Sequence, residues 1–209
     1  MNLSSKAAKD KKLILAPSDL VSKVMEISNR EGKTLFNFVA EALEQTLRAA
    51  EMNRTIKEIV DFYRAMETQK SSGAVIVPIE AFTYLINKLY LTDRKNLLKK
   101  WYESGEWYGK YLLAKFHDGD PVEGFRDLLS VSQWDVNEVS FTKDNDNVRI
   151  KCVSPLLPLE NTELLMKFTE GVMHSFGYEV ENEDYARGMI LLTFGKSKET
   201  DKDKNMKNE

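Results

Sequence analysis

The fold of the N-terminal part is decided by residues 11–47, which read KKLILAPSDLVSKVMEISNREGKTLFNFVAEALEQTL. A short apolar run ends at Pro17, which cannot donate to a strand ladder and suits the entry to a helix. Apolar residues then recur at helical spacing as far as Gly32, a residue type that commonly closes a helix. The same spacing resumes after Gly32, so the pattern predicts one strand followed by two helices.

Each predicted helix carries one apolar stripe. Ser18 or Asp19 is placed to cap the first helix, and Thr34 to cap the second. The stripes consist of Leu20, Val21, Val24, Met25 and Ile27, and of Leu35, Phe38, Val39, Ala42, Leu43 and Leu47. Domains of fewer than about 40 residues usually need outside help to enclose a core, so we expect a second copy of the chain to cover these stripes.

The order of strand, proline, helix, Gly-Lys-Thr link and helix resembles the ribbon-helix-helix family of DNA-binding proteins. In that family two chains pair their strands into an antiparallel ribbon that enters the DNA major groove. Carried over by position, the resemblance implies that Lys11, Leu13 and Leu15 face the groove. It also implies that Lys33 and Thr34 meet the DNA backbone at the start of the second helix.

A flexible basic arm, residues 1–10, precedes this module. Together with the next two residues it contains Lys6, Lys9, Lys11 and Lys12 against the single acid Asp10. Such arms neutralise phosphates, so we expect Lys9 and Lys11 to contribute to DNA binding. An ordinary solvated terminus is the alternative. The formal charge of the whole chain is −3, so any DNA site must be local.

Two of the three groove-facing positions are leucines, where the family usually places polar or basic residues. A bidentate polar side chain contributes roughly 1–3 kcal/mol of base discrimination, whereas leucine offers only apolar contact, for example to a thymine methyl group. Two interpretations follow. Either the ribbon binds DNA, or it serves only for dimerisation, with its apolar face covered by another part of the protein or by a partner.

Composition limits the remaining possibilities. The chain has 209 residues, of which 42% are hydrophobic, enough for one large or two small domains. No run approaches the roughly 18 apolar residues of a membrane span, and the N-terminus is charged where a secretory signal is apolar, so we expect a cytoplasmic protein without membrane contact. Cys152 is the only cysteine, which excludes an internal disulfide and a thiolate zinc site within one chain. We predict no metal and no cofactor.

Helical patterning continues through the middle of the chain. Thr55 and Glu58 form a capping-box pair at the start of a helix that connects the two domains within residues 49–73. The apolar residues 74–77 are expected to form a short strand or a buried turn. Thr92 is placed to cap a later helix.

Gly105 and Gly109 lie four residues apart in that later helix, where they permit bends or close helix packing. Aromatic residues are frequent in the same stretch. We expect them to pack in a core, with the lining of an apolar ligand pocket as the alternative.

A change to period-two patterning marks a C-terminal sheet. After a helix that begins at Asp120-Pro121, strands are predicted at residues 136–142, 148–154, 178–183 and 188–194. A helix capped by Asn161 or Thr162, and ended by Gly177, separates the two strand pairs. The predicted fold class is α+β: a ribbon-helix-helix module at 11–48, a helical connector, and a C-terminal α/β domain with a four-stranded antiparallel sheet flanked by helices.

The C-terminal layout, with the pieces YESGEWYG, EGVMHSFGYEV and ARGMILLTF, resembles the vinyl-reductase-type ligand-binding domain related to TRAPP subunits. The resemblance covers residues 74–195. Such domains often dimerise and some hold apolar ligands, so it implies a second dimer contact and a small apolar ligand, without identifying ligand-binding residues. Residues 196–209 are almost wholly polar and are expected to be disordered.

The sequence does not indicate an enzyme. His117 and His174 have no cysteine partner and are expected on a loop or a helix surface, with a haem-axial role for His174 as the alternative. We therefore predict a homodimeric DNA-binding transcriptional regulator, whose partners are double-stranded DNA, a second copy and a small apolar ligand. The competing hypothesis is a scaffold or assembly protein that uses the ribbon only for dimerisation and its C-terminal domain for protein partners.

Overall fold

A computed structural model describes residues 12–116, 119–131, 138–144 and 146–197. The chain divides into two compact units, which we call unit 1 (residues 1–60) and unit 2 (residues 61–209). The described helices are α1 (Ser18–Arg30), α2 (Leu35–Glu51), α3 (Ile56–Ser71), α4 (Ile79–Lys115), α5 (Pro121–Val131) and α6 (Leu159–Ser175), and the strands are β1 (Glu138–Asp144), β2 (Asn147–Val153), β3 (Tyr178–Ala186) and β4 (Met189–Lys196). The predicted α+β class, with a four-stranded antiparallel sheet flanked by helices, is confirmed.

The sheet of unit 2 has the strand order β1-β2-β4-β3, and every neighbouring pair is antiparallel. Ile150 of β2 lies opposite both Phe141 of β1 and Leu192 of β4. Alternate residues of the two central strands are buried: Val148, Ile150, Cys152, Ile190, Leu192 and Phe194. They form one core with residues of α4, α5 and α6. The four predicted strands are confirmed, although residues 136–137 of the first prediction lie outside the described residues.

Strand β3 is one edge of the sheet. Its register with β4 shifts between Val180 and Asn182, which makes Glu181 an extra residue in the pairing. The Glu181 side chain lies against Gly195 of β4, in space that a larger residue at position 195 would need. Four acidic side chains on this edge are exposed: Glu179, Glu181, Glu183 and Asp184.

Helix α4 changes direction at Asp93, whose backbone is not helical (φ −150°, ψ 45°). The prediction that Thr92 caps the second half is wrong, because the Thr92 hydroxyl donates back to the Lys88 carbonyl at 2.9 Å. Asp93 occupies the break instead, and its carboxylate accepts a hydrogen bond from the Asn96 side chain at 2.9 Å. The two halves fold toward each other, since the rings of Phe82 and Trp101 meet edge to face with centroids 6.1 Å apart.

The apolar segment between α3 and α4 is neither a strand nor a buried turn, so that prediction is wrong. Residues 74–78 adopt no regular structure. Val75 and Ile76 are 80% and 78% exposed, and Val77 is also exposed. Their apolar character therefore does not arise from a role in the core of this chain.

Helix α6 begins three residues before the predicted cap. Pro158 is the N-cap residue, so Asn161 and Thr162 lie inside the first turn, where both are buried. The Thr162 hydroxyl donates to the Pro158 carbonyl at 2.8 Å and accepts from the Gly188 N–H at 2.9 Å. The Thr162 hydroxyl thus connects α6 to the β3–β4 turn and does not cap the helix.

The predicted close packing at Gly105 and Gly109 is confirmed, and the partner helix is α6. A Cβ atom on Gly105 would collide with the backbone carbonyl of Phe168, and one on Gly171 with the carbonyl of Tyr102. A Cβ on Gly109 would lie 2.8 Å from the Val172 carbonyl. The two helix backbones therefore touch, which only glycine at these positions allows.

The buried carboxylate of Glu163 in α6 is bonded to side chains of α4 and β3. The carboxylate of Glu163 accepts bonds from Arg94 Nε and Nη2 at 3.0 and 2.8 Å, and from the Tyr185 hydroxyl at 3.1 Å. Burial alone would raise the pKa of Glu163, but its hydrogen bonds with Arg94, Tyr90 and Tyr185 outweigh burial and lower it. Glu163 is therefore ionised at neutral pH, and it joins the start of the second half of α4 to α6 and β3.

None of the helices in the described part of the chain combines the length and the apolar character needed to cross a lipid bilayer.

Replacing Gly171 by alanine should destabilise unit 2 by about 1–3 kcal/mol, because the added methyl group forces the backbones of α4 and α6 apart. Thermal unfolding followed by circular dichroism measures the loss. Gly124→Ala is the matched control, since its Cβ would only reach ordinary contact with Phe116 at 3.4 Å. That control should be neutral or stabilising by up to about 1 kcal/mol. Equal effects of the two substitutions would contradict the close crossing.

Glu163→Gln should lower the free energy of unfolding at neutral pH by about 1.5–3 kcal/mol, the contribution of hydrogen bonds to a charged group. Because the pKa of Glu163 is lowered in the folded state, its stabilisation is present above the ordinary pKa and is lost as the pH falls through the lowered one. The difference between wild type and variant should therefore shrink on acidification in urea titrations. A difference that does not change with pH would contradict this account.

Candidate nucleic-acid interface

The segment ahead of α1 presents its leucines to solvent. Residues 12–17 belong to neither a helix nor a strand of the single chain. Leu13 and Leu15 are 90% and 91% exposed, and Ile14 between them is 65% exposed. Lys9 and Lys11, the other two residues predicted to contact DNA here, lie outside the described residues.

Helix α1 begins directly after Pro17. Pro17 is the N-cap residue and has no side chain that can accept a bond, so the prediction of a Ser18 or Asp19 cap is wrong. The Pro17 carbonyl instead accepts the Val21 N–H at 3.1 Å. Asp19 falls in the first turn, where a negative charge is favoured by the helix dipole.

The link between α1 and α2 is a Schellman motif. Gly32 has φ +68°, a left-handed conformation that glycine adopts without penalty. Its N–H donates to the Asn29 carbonyl at 3.1 Å, and the Lys33 N–H donates to the Ser28 carbonyl at 2.9 Å. Thr34 then caps α2, since its hydroxyl accepts the Asn37 N–H at 3.2 Å. The predicted roles of Gly32 and Thr34 in the helices are confirmed.

Lys33 lies between two carboxylates. Its ammonium group is 2.7 Å from Glu41 Oε2 and 3.2 Å from Glu31 Oε2. The hydrogen bond to Glu41, followed by that to Glu31, raises the pKa of Lys33. The lysine therefore stays charged, but a DNA phosphate must compete with these carboxylates for it.

The described part of unit 1 carries no excess positive charge. Residues 12–60 contain seven lysines or arginines and seven aspartates or glutamates. A net positive charge in unit 1 therefore comes from residues 1–11, where Lys6, Lys9 and Lys11 are opposed only by Asp10. The excess positive charge of unit 1 thus lies in the first 11 residues of its sequence.

Unit 1 buries no large apolar side chain among its described residues. Only Ser28 and Ala49 are buried there. The exposed large apolar residues of α1 and α2 are Leu20, Met25, Phe36, Val39, Leu43 and Leu47. Phe36, Val39, Leu43 and Leu47 follow one another at spacings of three, four and four, so they form one stripe along α2.

Unit 2 contains a polar cluster that the sequence did not indicate. The Tyr102 hydroxyl is hydrogen-bonded to His174 Nδ1, and His174 Nε2 lies 3.3 Å from Glu179 Oε1. Burial, and then the neighbouring carboxylates beginning with Glu106, raise the pKa of Tyr102, so its phenol is neutral at physiological pH. The cluster connects α4, α6 and β3, and it holds no activated nucleophile.

Two further chemical possibilities are limited by the geometry. Burial raises the pKa of Cys152 to about 12, so its thiol is neither a nucleophile nor a ready metal ligand at neutral pH. Within the described ranges, no group of three or more His, Cys, Asp or Glu side chains is placed to hold a metal ion. His117, the second histidine of the sequence, is not among the described residues.

One space inside the core of unit 2 lies between the central strands and the start of α6. It is lined by Cys152, Ser154, Leu157, Thr162, Leu165, Gly188 and Ile190. This space is too small to admit a water molecule. An apolar ligand could enter there only by displacing core side chains.

Comparisons with known proteins do not supply a family. No protein-family model matches the sequence, and no curated protein matches it significantly. A solved structure described as probing the function of heme distortion in the H-NOX family covers 68% of this chain and 90% of its own, with 18% identity and a TM-score of 0.37. At that TM-score the likeness supports no conclusion about fold or function.

Replacing Gly32 by alanine should destabilise the α1–α2 pair by about 1–2 kcal/mol, the cost of a left-handed conformation for a residue with a Cβ. No atom lies within 4 Å of the added methyl group, so steric collision does not contribute. Amide hydrogen exchange in α1 and α2 measures the loss. Gly32→Asn is the control, because asparagine tolerates this conformation better, and it should retain more protection than the alanine variant. Equal protection in both variants would contradict the assignment.

Proposed function

We propose that this protein is a homodimeric, cytoplasmic, DNA-binding transcriptional regulator. Unit 1 forms a ribbon-helix-helix module with unit 1 of a second chain. The observation that carries the proposal is the apolar surface of unit 1. Thr34 caps α2, yet Leu20 and Met25 of α1 and the stripe from Phe36 to Leu47 of α2 are exposed, and the apolar segment before Pro17 is exposed as well.

A second copy of the chain would cover the exposed apolar residues of α1, of α2 and of the segment before Pro17. Apolar stripes from two α1–α2 pairs can bury one another, at roughly 25 cal/mol for each Å² removed from water. The two segments before Pro17 can supply each other with the backbone hydrogen bonds that a lone strand lacks. Dimerisation through unit 1 therefore explains why residues such as Leu43 and Leu47 are apolar although they are exposed in a single chain.

DNA binding follows from what this dimer would present. The paired segments carry Leu13 and Leu15 outward, flanked by the lysines of the arm. The N-terminus of α2, capped by Thr34, lies next to the charged ammonium of Lys33. Helix N-termini bind phosphate through backbone N–H groups, and lysines add salt-dependent attraction.

Unit 2 offers a second surface for dimerisation. The segment before α4 and the first half of that helix expose several large apolar residues, namely Val75, Ile76, Val77, Ile79, Tyr84, Leu85, Leu89 and Leu91. Large apolar surface commonly marks a protein contact, and we infer that part of this segment meets a second copy. A contact between the two copies of unit 2 would add to dimerisation through unit 1.

The alternative function is a scaffold in which unit 1 only dimerises. Two observations favour it: Lys33 is already paired with Glu31 and Glu41, and residues 12–60 carry no net charge. In that case the exposed surface around Val75 and Leu85 would receive a protein partner. DNA binding by the purified chain distinguishes the two functions.

The test is fluorescence anisotropy of labelled duplex DNA at about 50 mM and about 200 mM salt, with the oligomeric state measured in parallel by light scattering. We expect binding that weakens with salt, with a logarithmic slope of about 0.9 for each phosphate contact. Lys9→Ala/Lys11→Ala should lower affinity and slope while the protein stays dimeric. Lys95→Ala/Lys110→Ala, with the same change of charge at exposed lysines of unit 2, should leave both unchanged.

A second variant addresses the dimer. Leu43→Asp/Leu47→Asp should abolish DNA binding and lower the amide-exchange protection of α1 and α2, even if unit 2 holds the copies together, whereas Leu156→Asp, at an exposed leucine of unit 2, should do neither. A dimeric wild type that binds no DNA at the lower salt concentration would overturn the regulator and leave the scaffold. A wild-type chain whose unit 1 does not self-associate would overturn both.

A further inference from the structure

Leu13 and Leu15 are the most exposed large apolar side chains in the described part of unit 1. In the ribbon strand proposed above, successive side chains point to opposite sides, so these two would share a side and Ile14 would point away from it. Ile14 is less exposed than either neighbour. The segment thus presents a pair of leucines to the outside, with Lys12 immediately before them.

Leucine can recognise only one feature of a base edge in the major groove. It has no hydrogen-bond donor or acceptor, so the donor and acceptor patterns of G, C and A are unavailable to it. The C5-methyl group of thymine is the apolar group that the groove offers. We propose that Leu13 and Leu15 make this chain a reader of pyrimidine C5-methyl groups, and so select thymine-rich double-stranded DNA; this rests on the DNA-binding function proposed above.

The dimensions agree with such a contact. Two residues of a strand span about 6.6 Å, and two base-pair steps span about 6.8 Å along one DNA strand. A two-stranded ribbon fits the major groove, whose width is about 12 Å. Leu13 and Leu15 of one chain can therefore meet methyl groups about two base pairs apart, and the second chain repeats the contact in the opposite direction.

Charge favours DNA over a protein as the occupant of this surface. Lys11 and Lys12 precede the leucines directly, Lys6 and Lys9 lie close in sequence, and Asp10 is the single acid among residues 1–12. Four lysines near the leucines would add little to the affinity of an apolar protein groove, whereas a DNA duplex has phosphates along both sides of its groove. The lysines would supply affinity that does not depend on sequence, and the leucines would supply the preference for methyl groups.

The test uses the full-length chain and pairs of duplexes that differ only in the C5-methyl group. One duplex contains only A·T pairs in mixed order, and its partner has every thymine replaced by uracil. The exchange leaves the phosphate charge and the minor-groove acceptors in place. A second pair contains only G·C pairs, with cytosine either unmodified or 5-methylated. Affinities are measured by fluorescence anisotropy at low salt.

We expect the thymine duplex to bind at least about tenfold more tightly than the uracil duplex. Burial of one methyl-sized group corresponds to about a fourfold change in affinity, and two or more such contacts multiply. The G·C duplex with 5-methylated cytosine should likewise bind more tightly than the unmodified G·C duplex. Leu13→Ser/Leu15→Ser should equalise the members of each pair and leave a weaker, salt-dependent binding, whereas Leu113→Ser/Leu156→Ser, at two exposed leucines of unit 2, should preserve the preference.

The outcomes separate this inference from the function on which it rests. Measurable binding with equal affinity for the thymine and uracil duplexes overturns methyl reading and leaves DNA binding standing. The same holds if the Leu13→Ser/Leu15→Ser variant keeps the full preference. Absence of binding to all four duplexes overturns the DNA-binding function itself, and methyl reading with it. The wild-type comparison remains decisive if the leucine variant fails to dimerise.

Discussion

Direct contact between the backbones of α4 and α6 determines how unit 2 is arranged. Gly105 and Gly171 remove the side chains that would otherwise separate the helices, so each helix touches the main chain of the other. This short separation brings Phe168 against both Trp101 and Tyr108. Because α6 also covers one face of the sheet, the position of α4 relative to the sheet follows from the same contact.

The same crossing places charged groups where they can meet. Arg94 follows the break at Asp93, and only with α4 close to α6 does its guanidinium reach the carboxylate of Glu163. Within the same crossing, the neutral Tyr102 hydroxyl is hydrogen-bonded to His174. Leaving the buried Glu163 carboxylate without Arg94 would cost more than the pair contributes, so this contact penalises sliding of the two helices.

Unit 1, unlike unit 2, is held by contacts between residues that are close in sequence. Its helices are defined locally, by a Schellman motif at Gly32 and by caps at Thr34 and Thr55, and not by a core of their own. Helices of this length are marginal in water without tertiary packing. The stability of unit 1 should consequently depend on protein concentration if a second chain covers its stripes, while that of unit 2 need not.

Local signals in the sequence were enough for most elements. Period-two alternation identified the four strands, and glycine or threonine at Gly32, Thr34 and Thr55 identified helix ends, because each depends on neighbours within about four residues. The capping box is present as expected, with the Thr55 hydroxyl accepting the Glu58 N–H at 3.1 Å. The ribbon-helix-helix interpretation and the DNA contacts stay predictions.

Features that depend on distant partners were not predictable in the same way. Arg94 and Glu163 are separated by 69 residues, and Tyr102 and His174 by 72, so no spacing in the sequence connects them. Thr162 has the residue type of a helix cap, but its hydroxyl accepts a hydrogen bond from the N–H of Gly188 in the β3–β4 turn. Val75 and Ile76 have the composition of a strand, but no strand among the described residues pairs with them.

The acidic, bulged edge formed by β3 has a consequence for how copies of this protein can meet. Open strand edges are templates for pairing with another chain, and inserted residues or charges along an edge prevent that pairing. An extra residue at Glu181 interrupts the ladder, and two antiparallel copies of this edge would also bring carboxylates together. Growth of the sheet from one molecule into the next is therefore opposed at the β3 edge.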